Sequence, residues 1–127
     1  MDDSLNTSEK NRSYTLARHI AEVAADKKAR DIILLDLRPL TSITDYFVIC
    51  TGEVDQHIRA IVDEIDLRLR PDDRPWHIEG RQNLSWVLMD YVNVVVHVFN
   101  PETREYFNLE KLWADAAAEK IADDSAV

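Results

Sequence analysis

Residues 41–52 constrain the fold of this chain more than any other stretch. They open with Thr41, Ser42, Thr44 and Asp45, small hydroxyl and acidic residues of the kind that make turns. Five apolar or aromatic residues follow, Tyr46 to Cys50, and Thr51-Gly52 ends the run. An apolar run of this length between turn signals suits a strand buried on both faces. An amphipathic helical pattern begins at once after Gly52. The stretch therefore reads as a central strand feeding a crossover helix, with helices covering at least part of both sheet faces.

The remaining elements arrange themselves about it. Residues 1–12 are polar and are expected to form a disordered tail. Leu16, Ile20, Val23, Ala24 and Lys27 recur at spacings of three and four, predicting a helix from Ser13, with Ser13 as its N-cap. Asp31 to Leu37 reads as a first strand, and Arg38-Pro39 turns the chain. After the central strand, Ile58, Ile61, Val62, Ile65 and Leu69 mark the buried face of a helix from about Val54 to Leu69, with Asp55 either capping its start or favouring the dipole from the first turn. Trp76 to Glu79, Trp86 to Tyr91 and Val94 to Phe99 read as three more strands. Val92-Asn93 reads as a tight hairpin turn with Asn93 at positive φ. Asn100-Pro101 is a helix start, asparagine capping and proline in the first turn. A second short helix follows from Asn108. Residues 114–127 are small and acidic, and are expected to fray. The expected architecture is one α/β domain over residues 13–113, a mixed five-stranded sheet with flanking helices.

Charge narrows the function. The formal net charge is −9, and the one basic run, Lys27-Lys28-Ala29-Arg30, lies where a helix C-terminus favours cations. A chain that gripped nucleic acid would carry a basic face. An acidic one suits a basic protein partner, with little direct contact to nucleic acid. Cys50 is the single cysteine, so the chain has no internal disulfide. No apolar run approaches the roughly 20 residues that span a bilayer, and Met1-Asp2-Asp3-Ser4 lacks the order of a signal peptide. A cytoplasmic protein is the expectation.

No catalytic constellation emerges. His19, His57, His77 and His97 lack ligand spacing; His77 and Glu79 share a strand face, but a zinc site needs three or four ligands. Cys50 ends a buried strand without a neighbouring base, as a structural thiol does. Asp36, Asp45 and Asp90 lie near strand ends, where carboxylates can hold magnesium, but also where they cap turns. No cofactor is implied. The residues least explained by folding are in the last hairpin. Trp86, Leu88 and Asp90 project from one face; Val95, His97 and Phe99 form one row of the next strand. Both faces are largely apolar, so a face left uncovered by helices is a docking surface.

The stretch from Ser42 to Gly52, then Glu79-Gly80, Trp86 to Tyr91, Val94 to Phe99 and Leu109 to Trp113 together resemble the bacterial ribosomal silencing factors of the Iojap-related family. The resemblance covers residues 14–113 and implies a nucleotidyltransferase-like core. That superfamily's Gly-Ser signature and paired Asp-x-Asp are absent here, so nucleotide transfer is the weaker alternative, one that would use magnesium. The family implies a translational repressor. It binds the large ribosomal subunit through large-subunit ribosomal protein fourteen, blocks subunit joining, and contributes to late large-subunit assembly. Combined with the apolar hairpin face, this places the partner-binding residues at Trp86, Leu88, Asp90, His97 and Phe99, with Ser42, Thr44 and Asp45 at the neighbouring turn. A third, competing reading of the hairpin face is a homodimer that buries it against a second copy. The family often has glycine and aspartate in the hairpin turn, where this chain has Val92-Asn93.

Overall fold

The computed structural model describes residues 3–121, with side chains from residue 12 onward. The elements run α1 (Asp3–Asp26), β1 (Arg30–Asp36), β2 (Tyr46–Thr51), α2 (Asp55–Leu69), β3 (His77–Glu79), β4 (Trp86–Asp90), β5 (Val94–Phe99), α3 (Pro101–Phe107), α4 (Leu109–Leu112) and β6 (Ala117–Lys120). The sheet order is β3-β4-β5-β2-β1-β6. Only β2 and β5 pair in parallel, at the centre; the other pairings are antiparallel.

Two layers of apolar residues follow from the alternation along the strands. Val48 and Cys50 of β2, Val87 and Met89 of β4, and Val94, Val96 and Val98 of β5 are buried against α1 and α2. The helices meet them with Ile20, Val23 and Ala24 from α1 and with Ile58, Ile61, Val62, Ile65 and Leu69 from α2. The small alanines of α1, Ala17, Ala21, Ala24 and Ala25, allow the helix to lie close to the sheet. The opposite sheet face carries a smaller cluster of Leu35, Leu37, Ile49 and Phe99, roofed by residues of α4 and the chain after it, Leu109, Trp113 and Ala116. Helices therefore cover one face fully and the other in part.

The structure corrects the sequence reading in four places. The sheet has six strands, because residues 117–120 pair with β1 along Ile33–Asp36 instead of fraying. Nothing in Ala-Ala-Glu-Lys favours a strand; the open edge of β1 supplies the template, and the Glu119 carboxylate accepts hydrogen bonds from Tyr14 (2.9 Å) and Arg18 (2.7 Å). Residues 122–127 of the expected tail lie outside the described residues, as do Met1 and Asp2. Helix α1 begins at Asp3, ten residues before Ser13, so residues 3–12 are helical and Ser13 is no N-cap. The Ser13 hydroxyl instead donates to Asp45 Oδ2 at 2.7 Å, tying α1 to the turn before β2. The N-cap of α2 is Val54 with no side-chain cap, so Asp55 is not the cap and sits instead in the first turn, where it favours the dipole. His57, in the first turn, reaches back past the cap: its Nδ1 accepts from the Glu53 amide at 3.0 Å and its Nε2 donates to the Lys27 carbonyl at 2.7 Å. In the β4–β5 turn the positive φ, 74°, falls on Val92 rather than Asn93.

The two short helices form as expected. Asn100 accepts from the Thr103 amide at 2.8 Å, with proline in the first turn, and Asn108 accepts from the Lys111 amide at 3.3 Å.

Candidate functional site: an acid-rimmed groove on the open sheet face

The partial cover leaves a groove of about 390 Å³ across β3, β4, β5 and β2. Its floor is Phe47, Val95 and His97. One wall is the chain between β1 and β2, with Leu37, Thr41, Ile43 and Thr44. Leu88 and the carboxylates of Glu79 and Asp90 lie on the β3–β4 side, and Trp113 closes the end. Among the described residues no lysine or arginine lines it. Ile43 is 85% exposed, which is unusual for an isoleucine with no partner of its own chain above it.

The register explains how the strands assemble this surface. Leu88 lies opposite His97, Asp90 opposite Val95, and Trp86 opposite Phe99. On the far side Ile49 lies opposite His97 and Phe47 opposite Val95. The loop into β4 depends on Gly80, which has φ 84°. A Cβ there would overlap the Trp86 carbonyl oxygen, so the loop can close on the start of β4 only with glycine at this position.

Four of the eight residues expected from sequence line the groove together: Thr44, Leu88, Asp90 and His97. The other four are placed differently. Trp86 stands beside the groove, half-buried, its ring 4.9 Å from that of Phe99 and 4.7 Å from that of Phe107. Its indole N–H donates to His97 Nδ1 at 3.1 Å. Phe99 is fully buried beneath Trp86 and cannot touch a partner of the folded chain; it belongs to the core of this face. Asp45 turns towards α1 through Ser13, and Ser42 is exposed on the loop without lining the groove. Leu37, Ile43, Phe47, Val95 and Trp113 were not singled out as contacts. For Phe47 and Val95 the alternation of β2 and β5 held the signal; Ile43 lay unremarked between two turn residues.

His97 sits edge-on to Phe47, ring centroids 4.4 Å apart, and is 3% exposed. Burial lowers its pKa to about 3, so the ring is neutral. Three residues that line the groove each bury a polar atom without a hydrogen-bond partner: Thr44 Oγ1, His77 Nδ1 and His97 Nε2. Buried polar atoms are ordinarily paired, so a concentration of unpaired ones in one concavity marks a surface completed by something else.

The other chemical candidates are engaged locally. Cys50 is fully buried, and burial pushes its thiol pKa up to about 12. Asp36 holds Arg38 through two hydrogen bonds, at 2.9 and 2.7 Å, and this arginine holds its carboxyl below the usual range. Asp90 Oδ1 accepts from the Val92 amide at 2.7 Å. His77 Nε2 donates to Glu79 at 2.8 Å. Among the described residues no three His, Cys, Asp or Glu side chains converge as a metal-binding group, and no helix is long and apolar enough to cross a membrane.

Comparison with known proteins identifies the family of the chain. The family described as "Ribosomal silencing factor during starvation" matches residues 10–127. Ribosomal silencing factor RsfS of Bacillus subtilis is 42% identical over 106 residues, covering 78% of this chain and 88% of its own. The mouse protein "Mitochondrial assembly of ribosomal large subunit protein 1" is 34% identical over 120 residues, covering 83% of this chain and 52% of its own length. A crystal structure of a protein from Chromobacterium violaceum superposes with a TM-score of 0.74 at 32% identity, covering 82% of this chain and 85% of that one. Fold, strand motifs and family match agree, and the chain belongs to the ribosomal silencing factor family.

Proposed function

We propose that this protein binds the large ribosomal subunit by seating a segment of large-subunit ribosomal protein fourteen in the groove, and that its bulk then blocks joining of the small subunit. The observation that carries the reading is the groove itself: an apolar floor, carboxylates at the rim and no cation in its lining. Apolar residues supply most of the binding free energy in such patches, while charge sets partner choice and on-rate. A chain of net charge −9 is repelled by RNA phosphates and attracted to a basic protein. The names of the relatives, silencing factors and a large-subunit assembly protein, support the same target and a second role in late assembly. Action is stoichiometric and without catalysis, in the cytoplasm: one bound copy silences one subunit.

Purified protein mixed with separated large subunits and run on a sucrose gradient should co-migrate with them. Small subunits added afterwards should fail to form joined ribosomes. Binding with normal joining would replace silencing with assembly as the function. No binding at moderate salt would overturn the reading. Sedimentation of the protein alone reports whether a second copy occupies the groove when no ribosome is present.

A further inference from the structure

We infer that His97 reads the partner as a neutral Nε2–H donor, held in that tautomer by Trp86, and that the group it takes is a main-chain carbonyl of the segment lying in the groove. The inference rests on the binding reading above and adds the chemistry of the contact.

The tautomer follows from one hydrogen bond. The Trp86 indole nitrogen only donates, so His97 Nδ1, 3.1 Å away, must carry a lone pair. A neutral imidazole has one N–H, which then resides on Nε2. That atom is buried and has no partner within the chain. Burial keeps the ring uncharged, with a pKa near 3, so the same tautomer persists at any physiological pH. The floor of the groove thus holds a fixed, unsatisfied donor just beneath its surface, and leaving it unpaired costs stability in the free protein.

The class of acceptor follows from the surroundings. A lysine or arginine brings only donors and cannot pair with Nε2–H. A carboxylate or phosphate would have to pass Glu79 and Asp90 at the rim. An extended peptide that enters an apolar groove loses the water on its own carbonyls, and each then needs a donor. The His97 donor and the partner's carbonyl satisfy one another. Nε2 is covered in the free protein, so seating the segment must turn a lining side chain aside. Leu88, opposite His97 in the β4–β5 pair, and Phe47, its ring 4.4 Å from that of His97, are the half-buried lining neighbours of the ring.

The test combines three variants with one spectroscopic measurement. In the free protein, two-bond nitrogen–proton NMR spectra should show His97 protonated at Nε2 and bare at Nδ1; in Trp86→Phe the two tautomers should mix. His97→Phe keeps a ring and removes the donor. It removes an unpaired donor but also the acceptor of the Trp86 N–H, so it should stay folded with a melting temperature near that of the wild type yet bind large subunits about tenfold to a hundredfold more weakly. His97→Gln restores an N–H near the same position and should recover most of the binding. A histidine that only fills space would leave binding by folded His97→Phe intact. Wild-type binding together with unchanged binding by folded His97→Phe would overturn this inference alone, as would an Nδ1–H tautomer in the free protein. Failure of the wild type to bind large subunits would overturn the binding reading itself, and this inference with it.

Discussion

The amide of Asn93 donates to the carbonyl of Tyr91 at 2.9 Å, closing the β4–β5 hairpin around the single residue Val92. That three-residue turn forces φ of Val92 to 74°, a conformation costly for a β-branched residue. The turn holds because it is braced twice. Asp90 accepts from the Val92 amide, and the Asn93 carbonyl accepts from the amides of Asp45 and Tyr46. The strain thus sits beside the groove wall, where the hairpin grips the turn before β2. Val92→Gly should relieve it and raise stability by about 1 kcal/mol, a few degrees in melting temperature. Thermal unfolding by circular dichroism measures it; a lower melting temperature would mean that the half-exposed valine packs better than its backbone suggests.

Gly80 poses the opposite case. Gly80→Ala adds a Cβ against the Trp86 carbonyl at a residue with φ 84°. The backbone of β4 has to move, so the expected loss is at least about 2 kcal/mol, with weakened binding because Trp86 and Leu88 shift together. Denaturant unfolding decides it. A loss below about 0.5 kcal/mol would show that the loop adapts without disturbing the strand.

Trp86 connects the core of the open face to the surface. Trp86→Ala removes the ring contacts to Phe99 and Phe107 and the donor to His97. A half-buried tryptophan truncated in this way should cost about 2–3 kcal/mol, less than a fully buried one, and the chain should still fold around the intact α1–α2 layer. Binding to large subunits should fall more than tenfold. Equal binding by the folded variant would limit Trp86 to roofing Phe99.

The sequence made the open face legible because alternation carries it. Trp86, Leu88 and Asp90 needed only the period of two, and the apolar character of both rows of β5 showed that one face lacked full cover. The register that brings Leu88 to His97 is the one a turn at Val92-Asn93 implies, with Tyr91 opposite Val94; what the sequence did not show is that Val92, not Asn93, takes the positive φ. Phe99 looked like a contact because a row of side chains does not reveal which of them the following helices will bury. The strand at Ala117–Lys120 was invisible for a related reason: its pairing is determined by the bare edge of β1 and by Glu119 reaching Tyr14 and Arg18, about a hundred residues away in sequence.

His97 makes a prediction about pH. Its folded pKa is lowered, to about 3 from an ordinary 6.5, because burial penalises the charged ring. The unfolded chain therefore binds a proton at this site between those values and the folded chain does not. The stability contribution is fully present above pH 6.5 and is lost progressively as pH falls towards 3, by an amount on the order of a few kcal/mol. Urea unfolding from pH 7.5 to 4 should show this fall on top of that from other groups. His97→Phe should remove it, leaving a flatter profile over the same range. Parallel profiles for the two proteins would place the proton elsewhere.

The last strand makes its own prediction, because β6 is held by its backbone and one carboxylate. Its residues are largely exposed, and Glu119 accepts from Tyr14 and Arg18 of α1. Exposed ion pairs contribute little, so Glu119→Ala should leave the melting temperature close to that of the wild type. The effect should be local: amide hydrogen exchange along residues 117–120 should quicken while that of β2 and β5 stays the same. Glu119→Pro goes further, since it also removes an amide hydrogen from the strand. Release of β6 would leave the β1 edge, Ile33 to Asp36, without its outer neighbour, and bare edges pair with other chains. Glu119→Pro should therefore self-associate at concentrations where Glu119→Ala remains as the wild type, a difference that sedimentation velocity resolves. Because Trp113 and Ala116 lie just before β6 on the same stretch of chain, loosening the strand should also weaken large-subunit binding. Unchanged exchange in residues 117–120 of Glu119→Ala would show that the ladder to β1 alone is sufficient to hold the edge.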